Sequence, residues 1–203
     1  MKKYIFLTVT AMMILFSSCS SREPQMDRTV FVPDEADASL PAYTEWGYNS
    51  FGAMYDIKHY FVVSNNIVPC KILHKDGRLR FTLNGVLKGI YYYESENVTL
   101  SFNFPYEKPT AYTDLLTLND TNIDLTSNDC VVTFIRGETE RTLNIVEGFL
   151  FFKRAQLLYI DDVPNRIILS GTFELSFLEN DFPTTISDGR FDLGITKNLF
   201  YAY

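Results

Sequence analysis

The chain has 203 residues, 46% of them hydrophobic and 15% aromatic, with a net charge of −7 and a pI near 4.8. That length suits one domain with a sizeable core. The acidic balance leaves no electrostatic footprint for nucleic acid and works against attraction to anionic lipid.

The first residues read as an address. Lys2 and Lys3 precede a mostly apolar run of thirteen residues from Tyr4 to Phe16, and small residues then lead into a cysteine, the order of an export signal. Thirteen helical residues span about 20 Å, short of a hydrocarbon core of roughly 30 Å, so the run suits export better than permanent spanning. The ending Phe16-Ser17-Ser18-Cys19 resembles a bacterial lipobox. That resemblance implies cleavage before Cys19 and diacylation of its thiol. Two acyl chains anchor stably where one does not, so the expected partner is a membrane, reached through the lipid. Ser20, rather than Asp, follows the cysteine, and the lipoprotein sorting rule associates this with the outer membrane. Glu23 is a weak acidic tag, which leaves the periplasmic and outward faces both open.

Cleavage would leave 185 residues with a net charge of −9, because Lys2 and Lys3 go with the signal. The expected division is a signal peptide over 1–18, the lipidated cysteine with a flexible tether over 19–44, and an all-β domain over 45–203. The tether rests on composition: Ser20 to Pro41 carries Pro, Ser, Ala and five acidic residues with little periodicity. Stretched out, about 22 residues reach roughly 70 Å. Thr29-Val30-Phe31-Val32 is a candidate short strand within it.

From Trp46 onward the spacing predicts strands. Leu79, Phe81 and Leu83 alternate with polar residues, as do Val98, Leu100, Phe102 and Phe104. Over Arg166 to Phe177, Ile167, Leu169, Phe173, Leu175 and Phe177 share a face with Gly171, while Ser170, Thr172, Glu174 and Ser176 face away. Asp76-Gly77 and Asn84-Gly85 are hairpin dipeptides, and Arg136-Gly137-Glu138 and Asp161-Asp162-Val163-Pro164-Asn165 mark further reversals. Tyr112 to Leu118 reads as a helical turn. Strands at spacings of roughly 8–12 residues predict a single antiparallel β-sandwich or barrel of about 8–10 strands.

Two hairpins carry a resemblance. Ser50-Phe51-Gly52-Ala53-Met54 with His59-Tyr60-Phe61-Val62-Val63, and Ser170-Gly171-Thr172-Phe173-Glu174 with Asp188-Gly189-Arg190-Phe191-Asp192, resemble the opening and closing hairpins of uncharacterised small lipoproteins of Bacteroides-like bacteria. This chain has Asp56-Ile57-Lys58 where many of those proteins carry an Asn-Gly turn. The resemblance implies a lipidated, exported, all-β protein and no particular activity.

Candidate chemistry is sparse. With Cys19 assigned to lipid, Cys70 and Cys130 are left, and an oxidising compartment permits a disulfide between them as readily as two buried thiols. His59 and His74 lack metal-ligand spacing, and no Gly-x-Ser-x-Gly elbow occurs. Asp161 with Asp162, and Asp188 with Asp192, are oxygen-rich but match no calcium loop, and Asp is common at turns. Arg190 and Asp192 lie two apart on one strand face, which reads as a solvated ion pair. No cofactor or metal is expected. The leading reading is a lipid-anchored envelope domain that binds or organises a glycan or an envelope protein without catalysis. Rival readings are a carbohydrate-binding module using Tyr91, Tyr92 and Tyr93, a hydrolase with paired carboxylates, and a barrel carrier with an empty interior.

Overall fold

The computed structural model describes residues 28–89, 95–107, 111–179 and 181–203. Twelve strands form one sheet: β1 (Ser50–Tyr55), β2 (His59–Val62), β3 (Cys70–Lys75), β4 (Arg78–Gly89), β5 (Ser95–Pro105), β6 (Thr121–Asp124), β7 (Val131–Arg136), β8 (Thr139–Thr142), β9 (Asn144–Ile160), β10 (Val163–Glu179), β11 (Phe182–Ile195) and β12 (Phe200–Ala202). A short 3-10 helix over Tyr112–Leu118 occupies the expected helical turn. Strand order is β6-β9-β10-β11-β1-β2-β4-β5-β7-β8, with β3 pairing both β4 and β12. Among the described residues every strand pairing is antiparallel except β3 with β12. The all-β class holds, and the extra strands beyond ten are short edge pieces that a periodicity window passes over.

The sheet is open but folds across its own inner face. Phe81 of β4 packs against Phe152 of β9 at 5.4 Å and Phe191 of β11 at 5.2 Å, although neither strand pairs with β4. Phe102 of β5 meets Phe173 of β10 at 5.6 Å in the same way. Among the described residues nine phenylalanines are essentially without solvent contact, and these rings fill the space between the two halves. A carrier needs that space empty, so the barrel-carrier reading loses its requirement. The three alternating segments behave as predicted: Leu79, Phe81, Leu83, Val98, Leu100, Phe102, Phe104, Ile167, Leu169, Phe173, Leu175 and Phe177 are all in the core.

Two expectations change. Asn84-Gly85 is not a turn; both residues lie inside β4. A Cβ on Gly85 would come 2.3 Å from the Val62 carbonyl oxygen and 2.7 Å from the Phe51 ring, so the glycine lets β2 and an inner ring close on the strand. The reversal falls at Asp76-Gly77, where φ is +52° and +70°, as a two-residue primed turn requires. Asp161 and Asp162 (φ +49° and +62°) make the equivalent turn between β9 and β10.

The second change concerns the tether. Residues 28–49, a strap that composition assigns mostly to the tether, lie against the outer face of the sheet. The strap doubles back on itself through Val30 N–H to the Tyr48 carbonyl (2.8 Å), Ala42 N–H to the Val32 carbonyl (2.7 Å) and a bridge between Pro33 and Pro41. Thr29 to Val32 is thereby paired without becoming a strand. Leu40 is buried against Val62 and Val86, a small second core on the side away from the phenylalanines. Pro41 fits because β1 has a glycine beneath it: a Cβ on Gly52 would sit 2.3 Å from the proline Cδ. Gly52→Ala is therefore expected to lift the strap and cost about 1–3 kcal/mol, the scale of overpacking, measurable as a lower urea midpoint. An unchanged midpoint would show that Pro41 is not seated on β1.

Candidate functional site

Beneath the strap lies Asp192, on the face of β11 that points away from the core and only 2% exposed. Its carboxylate accepts five hydrogen bonds. Oδ2 takes Thr44 Oγ1 at 2.5 Å, Trp46 N–H at 3.0 Å and Tyr48 N–H at 3.2 Å. Oδ1 takes Gly47 N–H at 2.7 Å and Ser170 Oγ at 3.0 Å. A carboxylate offers about four lone-pair sites, so this group is saturated. Two strands supply the base, since Ser170 and Asp192 are register partners between β10 and β11, and the strap supplies the lid. The solvated Arg190–Asp192 pair is corrected: Asp192 is buried among donors, and Arg190 instead reaches Asp34 of the strap at 2.7 Å. The backbone N–H of Ala36 and the guanidinium of Arg190 hold the Asp34 carboxyl below its usual acidity range. Ser170, which alternation places in solvent, has no exposure at all.

A second feature is open. Two adjoining surface grooves, of about 770 Å³ and about 720 Å³, share Thr29, Asn65 and Asn66 in their walls. One runs past the end of β11 to Asn198 in the 3-10 turn Lys197–Leu199, and the other runs past Phe31 of the strap and Tyr60 of β2. Among the described residues, neither lining includes Asp, Glu, His or Cys.

The remaining candidates scatter. Cys19 and Tyr91 to Tyr93 lie outside the described residues. His59 is on β2 beside Tyr55, and His74 on β3 places Nε2 3.0 Å from the Tyr106 carbonyl. Asp161 and Asp162 form a turn and Asp188 another positive-φ corner. No three His, Cys, Asp or Glu side chains converge among the described residues. Among the described residues Asp124 is the other carboxylate with a displaced pKa; the Thr126 hydroxyl and N–H lower it, opposite to what a general acid needs. The Asp192 knot was partly readable, because the residue stood out as charged on a strand. Its donors did not, since three are backbone N–H groups of residues more than 140 positions away.

Cys70 and Cys130 are both free. Cys70 is opposite Leu83 on β4, whereas Cys130 precedes β7, which reaches β4 only through β5. Three steps of about 4.8 Å between strands exceed the Cα separation of about 4.4–6.8 Å that a disulfide spans.

No known protein family, curated protein or solved structure matches the chain. Fold and site together define an all-β domain with a strapped outer face and a polar, acid-free surface groove.

Three outcomes follow from the buried groups. Asp192→Asn keeps the shape but turns an acceptor into a donor facing donors. It should cost about 3 kcal/mol in unfolding free energy and open residues 28–48 to limited proteolysis; wild-type protection of the strap in the variant would refute the knot. Burial pushes the Cys70 thiol up to about 12 from its ordinary 9.0 and also raises Cys130, which is only partly buried. Cys130 should therefore alkylate in the native protein and Cys70 only on unfolding; equal rates would contradict the burial. Burial also raises Tyr55 and Tyr43, with help from Glu179 and Glu45 respectively. The folded state holds these protons more tightly than the unfolded chain. Their contribution is complete below about pH 9 and is lost as pH rises toward 12, so a urea midpoint flat from pH 8 to 11 would rule it out.

Proposed function

We propose that this chain is a lipid-anchored domain of the bacterial outer membrane that binds a ligand rather than transforming one. The observation that carries the anchor is the ordered start, Lys2-Lys3, an apolar run and Leu15-Phe16-Ser17-Ser18-Cys19. The resemblance to small lipoproteins of Bacteroides-like bacteria supports the same address. Support for binding over chemistry comes from the groove, whose described walls are amide, hydroxyl and apolar groups with Arg28 and Lys88, and without a carboxylate, imidazole or thiol. The hydrolase reading wants a carboxylate in a cleft with a raised pKa; the one deeply buried carboxylate among the described residues, Asp192, is instead consumed by the strap.

A docked strap alters what the anchor does. With residues 28–49 held on the sheet, nine residues of chain separate Cys19 from Arg28, a contour length of at most roughly 30 Å. The domain then works close to the lipid surface, and its acidic charge is held there by acyl chains.

Metabolic labelling with radioactive palmitate should mark the wild-type protein and leave Cys19→Ala unmarked, with the variant moving from membrane to soluble fraction. The single tryptophan, Trp46, is 71% exposed on the strap and offers a native distance probe. In vesicles carrying a headgroup-attached acceptor, the lipidated protein should transfer energy from Trp46, and Cys19→Ala should not. Labelling that persists without Cys19 would end the anchor reading.

A further inference from the structure

We propose that the paired groove around Asn65 and Asn66 is a carbohydrate site that takes an extended, hydroxyl-rich chain. The proposal rests on the binding reading above and adds a place and a ligand class to it.

The first reason is how the chain spends its amides. Asn49 Oδ1 accepts the Gly194 N–H at 2.9 Å, and Asn84 bonds both the Val68 carbonyl and Thr99 at 3.1 Å. Asn103 receives Arg78 at 3.1 Å, and Asn119 accepts the Ala155 N–H at 3.0 Å. Those amides hold the fold together. Asn65 and Asn66 are exposed, and among the described residues their side chains take no part in such bonds. They stand side by side where the two grooves meet. A primary amide presents a donor and an acceptor together, the pairing that two neighbouring hydroxyls of a sugar ring complement.

The second reason is the composition of the walls. Thr29 and Asn198 add neutral hydrogen-bonding groups, and Phe31, 42% exposed, lies in the wall of the second groove. An exposed aromatic ring suits the apolar face of a pyranose, while the lining lacks the carboxylates that a basic peptide would seek. Each groove has the volume of a ligand cleft, and their continuity past Asn65 and Asn66 favours a chain over a compact metabolite. The mixture is mainly neutral hydrogen bonding beside the aromatic residues Phe31 and Tyr60, with Arg28 and Lys88 as donor-only groups that also suit sugar hydroxyls.

The test is titration of the full domain with neutral hexasaccharides (xylo-, malto-, cello- and chitohexaose), followed by amide NMR shifts and calorimetry. At least one should bind and perturb Thr29, Asn65 and Asn66. Asn65→Ala/Asn66→Ala should weaken that binding about tenfold or more, the loss of one to two hydrogen bonds, with an unchanged melting temperature. Thr139→Ala, on the exposed strand β8, should bind as wild type. Three results overturn the proposal: no hexasaccharide binding, binding undiminished in the double variant, or displacement of the sugar by an unrelated extended peptide. Undiminished binding would leave the binding reading standing and refute this site alone, because palmitate labelling tests the anchor separately.

Discussion

The outer face of this protein depends on one buried carboxylate. Asp192 lies on a strand whose other side faces the phenylalanine core, so the sheet around it is covered on both faces. A charge removed from water costs several kcal/mol unless its lone pairs are filled, and nothing on β11 itself can fill them. Ser170 on the neighbouring strand supplies one donor. The other four come from Thr44, Trp46, Gly47 and Tyr48. The carboxylate therefore makes a docked strap the low-energy state, and a released strap would leave it short of donors. Arg190 with Asp34 adds a second clasp on the same strand, and Leu40 seals the far end.

The phenylalanine core performs a different task. Rings from β4, β5, β9, β10 and β11 meet across the interior, and edge-to-face and tilted pairs of this kind add to the area they bury. Their number explains the high aromatic content without any binding role. A sheet whose interior is full offers ligands only its surface. The paired groove lies on that surface, where strap, β2 and the end of β11 leave polar groups in the open.

Much of the inner face was legible because period-two alternation depends on local sequence alone. Leu79 to Leu83 and Val98 to Phe104 point inward as their spacing requires. Asp76-Gly77 was legible for the same reason, since positive φ is a property of two residues. Asn84-Gly85 has identical turn chemistry and was misread, because the demand on Gly85 comes from Val62 and Phe51, which are distant in sequence. The strap was illegible on similar grounds. Its composition is that of a tether, and its order comes from Asp192 and Gly52, residues that local pattern cannot connect to it. The candidate groove was missed entirely: Asn65 and Asn66 sit in an aperiodic loop, and only the folded chain brings Thr29 to them.

Strap and groove are consequently not separate features. Thr29 and Phe31 belong to the strap, whereas Asn65, Asn66 and Tyr60 belong to the sheet and the loop after β2. The groove exists only while the two are held together, and the group that holds them is a carboxylate outside the groove. Loss of the Asp192 bonds would dismantle one wall while leaving the other, together with the phenylalanine core, in place. The same release would also lengthen the chain between the strand core and the proposed anchor at Cys19. In this architecture the buried Asp192 carboxylate sets both the shape of the candidate binding surface and its reach from the proposed anchor, so the two vary together whenever the strap moves.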